Sequence, residues 1–247
     1  MRKRDLFRDV TDEEVLRAIR SVPVHYARDE NPPFERGATF YGISPVPAID
    51  SANLGGVDLE GAEWVFEDIT LTDTGAKGRR TGRPVRCKIV RNRSGIALLP
   101  RRLVTYQATA GNFGKRVDGY ATTTTQRIAG VVDEWLPSAG VPDYDLFWMV
   151  VEGPSNVITD LANGVNNNIA IGDIIAALTA VTSQATTAGR ARLFDITTLT
   201  ATSTGTTDGT LGQDVFRAAA NALGRALSSL TTNQTNTSLL VEIGRRW

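Results

Sequence analysis

The sequence predicts a mainly β protein: a small β-barrel or sandwich with a short N-terminal helix, an extended N-terminal arm and one short C-terminal helix. Three observations carry this. From residue 83 onward, short runs of β-branched and aromatic residues recur between turn residues. Leu146-Phe147-Trp148-Met149-Val150-Val151 is an unbroken apolar run bounded by Asp145 and Gly153-Pro154, the pattern of a strand buried on both faces. Long helical periodicity is missing, and strands at this spacing favour a barrel or sandwich over βαβ units.

The chain divides at residue 73. In 1–73, Thr11-Asp12-Glu13-Glu14 reads as a capping box, with Val15, Leu16 and Ile19 following at helical spacing and Pro23 as the latest end. Residues 28–50 then carry Pro32, Pro33, Pro45 and Pro47 beside Phe34, Phe40 and Tyr41. Such a stretch is either an arm whose aromatics dock elsewhere or a loop wrapping its own domain. Residues 74–247 form the β-rich body. Its expected strands are Val85–Val90, Ala97–Tyr106, Arg116–Thr125, Ile128–Trp135, Asp145–Glu152, Asn156–Leu161, Asn168–Leu178 and Ser238–Ile243. The Thr-rich stretch 196–212 reads as an exposed loop or β-excursion. Asp214–Ala222 is a short helix candidate, and Leu223–Leu227 either continues it or returns to strand, with Gly224 against helix.

Charge is segregated although the totals cancel, 27 Lys+Arg against 27 Asp+Glu. Between Asp73 and Asp118 every charge is basic: Lys77, Arg79, Arg80, Arg83, Arg86, Lys88, Arg91, Arg93, Arg101, Arg102, Lys115 and Arg116. Residues 118–185 are acidic apart from Arg127. Oppositely charged neighbours imply internal pairing, the favoured reading, or contact between copies. A single-strand nucleic-acid surface needs stacking aromatics among its cations. Here only Tyr106 and Phe113 fall within 77–116, so nucleic acid is disfavoured.

Catalytic chemistry finds little footing. One cysteine, Cys87, and one histidine, His25, exclude an internal disulfide framework, a Cys/His zinc site and most triad hydrolases. Cys87 reads as a small buried hydrophobe and His25 as a packed or solvated side chain. Asp133 and Glu134 would face opposite sides of a strand. Asp143 and Asp145 flank Tyr144 in a turn, where Asp bonds its own backbone. Gly111-Asn112-Phe113-Gly114-Lys115-Arg116 lacks the gap and the Ser/Thr of a phosphate loop and reads as a turn. No cofactor, metal or catalytic residue is expected. No apolar stretch reaches the roughly 18 residues of a membrane span. The basic N-terminus without an apolar core segment gives the expectation of folding in a reducing cytoplasm.

Several segments together resemble capsid decoration (head cement) proteins of tailed bacteriophages. They are Val117-Asp118-Gly119-Tyr120-Ala121, Ile128-Ala129-Gly130-Val131-Val132-Asp133-Glu134, Asp145 through Pro154, Ile171-Gly172-Asp173, and Ala222-Leu223-Gly224-Arg225-Ala226-Leu227 followed by Leu239-Leu240-Val241-Glu242-Ile243. The resemblance spans roughly 115–247. The first region, the basic run and the Thr-rich excursion depart from it. It implies a structural virion protein on the capsid exterior, bound to the major capsid protein and to itself as a homotrimer. Under it, Phe34, Phe40, Tyr41, Arg79, Arg80, Arg101 and Arg102 are the candidate capsid or subunit contacts. Competing readings are another virion part (major capsid, tail or head-completion protein), a virion hydrolase using Asp143 or Asp145, and a nucleic-acid binder using 77–116. A major capsid protein of the usual phage fold would need a long spine helix of about 20 residues, and no such pattern occurs.

Overall fold

A computed structural model describes residues 59–71, 77–122, 127–160, 168–177, 188–194, 222–231 and 235–244. The expected first helix, the arm with Phe34, Phe40 and Tyr41, His25, the excursion 196–212 and, apart from Ala222, the expected C-terminal helix lie outside the described residues. The rest is mainly β. The strands are β1 (Glu63–Leu71), β2 (Lys77–Asn92), β3 (Leu103–Tyr106), β4 (Arg116–Tyr120), β5 (Ile128–Val132), β6 (Leu146–Asp160), β7 (Ile174–Ala177), β8 (Ala191–Leu193), β9 (Gly224–Ala226) and β10 (Thr235–Ile243).

All of them join in one ten-stranded sheet, in the order β1-β2-β4-β3-β5-β6-β10-β9-β7-β8. Pairing is antiparallel except for β2 with β4 and β6 with β8. Two further pairings, β2 with β6 and β6 with β8, return the ladder onto itself. One circuit runs β2-β4-β3-β5-β6 and back to β2; the other runs β6-β10-β9-β7-β8 and back to β6. β6 is common to both.

The apolar run in β6 is buried on both faces, as its composition requires. Trp148 and Val150 join a core with Cys87, Ile89, Val131, Leu239 and Val241. Phe147, Met149 and Val151 point the other way, into a second core with Val90, Val104, Val117 and Ala129. Alternation along one strand thus feeds two cores.

Gly153-Pro154 does not end this strand, contrary to expectation. β6 continues to Asp160, so the strand expected from Asn156 is its second half. The dipeptide marks a change of partners. Before it, β6 pairs with β2 and β5; after it, with β10 and β8. Gly153 has φ of 97°, which an L side chain adopts only with strain. A Cβ there would lie 2.3 Å from the Pro84 carbonyl oxygen. The bend therefore lets β2 cross β6 closely.

β1 is a further departure, because Glu63–Leu71 lies before residue 73, ahead of the expected β-rich body. Its acidic residues hide the pattern. Trp64 and Phe66 pack on the first core, while Asp68 is buried at a register shift between Glu67 and Ile69. β2 likewise begins at Lys77, well before the expected Val85. β3 is shorter than expected: Leu98 makes only an isolated bridge to Val141, and Arg101, at φ 65°, turns the chain into the strand. Gly224–Ala226 is strand, which decides between the two readings of that segment.

Candidate functional site

The basic run is where chemistry concentrates, and the fold gives most of it a carboxylate. Glu60, just before β1, is buried. It accepts from Arg91 Nε through one oxygen and from Arg116 Nε at 2.8 Å through the other. Arg91 also donates to the Tyr144 carbonyl at 2.6 Å. A buried carboxylate between two arginines has its desolvation offset by paired charge, so the contact locks β2 to β4 at their parallel junction.

A second knot joins β1, β2 and β6. Arg80 donates from Nε and Nη2 to Asp68, and from Nη1 and Nη2 to Glu134. Thr81 Oγ1 donates to Asp68 at 2.6 Å, and Asn156 Nδ2 donates to Glu134. Burial lowers the Arg80 pKa, but its hydrogen bonds to Asp68 and Glu134 outweigh that, and the net direction is upward. Arg80 therefore stays charged and binds two carboxylates that would otherwise repel.

The outward face of the same strands carries a third set. Alternation on β2 buries Val85, Cys87 and Ile89 and turns Arg86 and Lys88 outward. Lys88 Nζ lies 2.9 Å from Glu63, and Arg86 reaches Glu63 at 3.5 Å and Glu152 at 3.0 Å. Arg83 reaches Glu242 at 3.0 Å. Between them lies a groove of about 310 Å³ lined by Val65, Arg83, Pro84, Arg86, Glu152, Gly153 and Glu242. Its charges face each other, so it offers no net charge to a ligand.

The predicted contact arginines separate. Arg79 is exposed and pairs with Glu67 at 2.7 Å. Arg80 is enclosed as described. Arg101 is half-buried at its left-handed turn, where its carbonyl accepts from Ile158 N–H. Arg102 is buried and donates to the Ala188 carbonyl at 3.1 Å. Sequence reasoning took all four as candidate contacts; it missed that Arg80 and Arg102 are taken into the body. It also missed the acids that accept the basic run. Internal pairing is what the structure shows, but four of the acceptors, Glu60, Glu63, Glu67 and Asp68, precede the run, Glu134 and Glu152 come from the acidic stretch after it, and Glu242 comes from β10. The signal available was the acid-rich Glu60–Asp68 segment immediately ahead of the basic one.

The remaining candidates fall out simply. Cys87 is buried. β5 ends at Val132, so Asp133 and Glu134 are not on a strand as expected; Asp133 is buried and Glu134 turns to Arg80. Asp143 accepts not from its own backbone, as expected, but from the Gly95 N–H at 3.1 Å, and so ties its turn to the distant one at Ser94–Gly95. Asp145 has one buried oxygen without a hydrogen-bond partner; burial raises its pKa and the charge of Arg91 opposes the rise. Gly111–Arg116 is a tight turn, with Phe113 and Arg116 N–H groups bonded back to Thr109 and Asn112. Among the described residues no group of three or more His, Cys, Asp or Glu is placed to hold a metal, and no helix is long and apolar enough to cross a membrane.

No family model matches the chain, and no curated protein matches it. Among solved structures it is similar to the head fiber gp8.5 N base in bacteriophage phi29. That likeness has a TM-score of 0.32 and 14% sequence identity, and covers 64% of this chain and 93% of that one.

Proposed function

We propose that this chain is a structural virion protein that binds the outer surface of a tailed-phage head and reinforces it. The sequence resemblance over roughly 115–247 gives the direction. The structural observation that supports it is the fate of the basic run. Arg79, Arg80, Arg83, Arg86, Lys88, Arg91 and Arg116 each face a carboxylate of the same chain. Charges spent in this way stitch β1, β2, β4, β6 and β10 into a stiff body, and are withdrawn from phosphate binding. A reinforcing protein needs stiffness and many copies rather than a reaction site, and many weak contacts on one shell hold it by avidity. The residues 1–58 ahead of the sheet, with Phe34, Phe40 and Tyr41, fit the role of a docking arm.

The test is co-sedimentation with heads assembled from the major capsid protein of the same genome. The full chain is compared with a variant lacking residues 1–58, which leaves β1 intact. Saturable binding at a fixed ratio per shell subunit is the expected result. Absence of binding to both expanded and unexpanded heads would overturn the reading, and undiminished binding by the shortened chain would remove the arm's role.

A further inference from the structure

Most cations of the basic run face a carboxylate, but exposed Lys115 does not, and neither does exposed Arg127 in the acidic stretch beyond it. Lys115 and Arg127 have no carboxylate within ion-pair distance among the described residues, and both side chains are exposed. Phe113, two residues before Lys115, is 46% exposed. The Arg127 guanidinium lies 5.3 Å from the centre of the Phe113 ring. On its other side the ring meets buried Tyr106, with centroids 5.1 Å apart and planes inclined at 55°.

The turn that carries Phe113 projects from the sheet. Gly111 and Gly114, on either side, have open space where a Cβ would point. It is nonetheless held in one shape. Asn112 and Phe113 N–H groups bond to the Thr109 carbonyl, Lys115 and Arg116 N–H groups bond to the Asn112 carbonyl, and Asn112 Nδ2 donates to Gln107 Oε1 at 3.0 Å. The Lys115 stem lies over Gly61, and the residue is exposed. The nearby acids are committed: Glu63 pairs with Lys88 and Arg86, and Asp118 has an interaction of its own.

A prebuilt aromatic projection loses little entropy on docking. With Arg127 over its ring and Lys115 two residues along the same turn, it is complementary to an apolar pocket with an acidic rim. We propose that the Phe113 turn is a contact knob that seats in such a pocket on the shell subunit, with Lys115 and Arg127 meeting carboxylates at its rim. This rests on the head-binding role above and names where the folded body touches the shell. The arm would add a second, separate contact.

The test uses the full-length chain and heads from the same genome. One variant is Phe113→Ala; the second, Lys115→Glu with Arg127→Glu, reverses the rim and removes no core packing. Circular dichroism melts establish that each is folded. Weakening by about tenfold or more is expected for Phe113→Ala, with a comparable loss for the double reversal. Wild-type binding should also fall as salt is raised. If Phe113→Ala does not fold, the double reversal decides. Wild-type affinity in folded variants would overturn the knob while leaving head binding intact. Failure of the wild-type chain to bind heads would overturn both. A Phe113-dependent self-association without head binding would overturn the shell subunit as partner.

Discussion

Arg80 and Asp68 meet across the irregular end of the β1–β2 ladder, with Nη2 and Oδ1 2.6 Å apart and the Asp68 side chain fully enclosed. The same guanidinium holds Glu134 at 2.8 Å. One arginine thus neutralises two buried acids from different parts of the chain, and the consequences of removing it differ from those of removing either acid.

Arg80→Met should be the more damaging change. It leaves Asp68 and Glu134 without their cation, whereas Asp68→Asn leaves Arg80 still paired to Glu134. Breaking a buried pair costs about 3–5 kcal/mol, so Arg80→Met should lie at or above that range and Asp68→Asn below it. Urea midpoints measured side by side check the order; a reversed order would show that the shared guanidinium does not dominate.

The stretch before β2 should be part of the folding unit from Leu59 onward. Removal of residues 1–73 deletes Glu60, Glu63 and Asp68 and the packing of Trp64 and Phe66, which stands edge-on to Trp148 at 5.2 Å between ring centroids. Such a chain should lose its cooperative thermal transition, while one lacking only 1–58 should keep it. Equal transitions in both would mean that β1 is dispensable.

Gly153→Ala should be severe. It combines a left-handed φ with a Cβ driven to 2.3 Å from the Pro84 carbonyl, a backbone atom that cannot rotate away. At Gly82, with φ of 70° and open space around the Cβ, only the conformational penalty applies, about 1–2 kcal/mol. The loss in melting temperature should therefore be clearly larger at 153 than at 82. Similar losses would indicate that β2 and β6 separate easily.

Asp145 should give a pH-dependent stability of unusual sign for an acid. Burial raises its folded pKa, with Arg91 opposing. The folded state then binds more protons than the unfolded chain between the unfolded value, about 3.9, and the raised one. Stability contributed by this group is present at and below the unfolded value and lost as pH rises through the folded one. Asp145→Asn mimics the protonated form, so it should raise the melting temperature at neutral pH. The advantage should shrink as the wild-type acid becomes protonated. A constant difference across pH would place the effect elsewhere.

Much of the body was legible in the chain. The apolar run 146–151 declares a strand covered on both faces, and Cys87 is buried as a small hydrophobe should be. What misled was charge and proline. Glu60–Asp68 looks solvated because each carboxylate is costly to bury alone, and only the arginines of β2 and β4 remove that cost. Gly153-Pro154 looks like a terminator because locally it is one; it continues as strand because β10 and β8 take over the pairing.

By itself, then, the sequence determined the strand-rich character, the strand at the centre of both cores, and the segregation of basic from acidic residues. Those are written in short-range alternation and composition. The tertiary structure decided which acid meets which base, that β1 belongs to the sheet, that β6 serves two circuits, and that Phe113 is exposed beneath the Arg127 guanidinium. The first three depend on register between residues far apart in the chain, where a one-residue shift exchanges buried and exposed faces, and no local pattern records that choice.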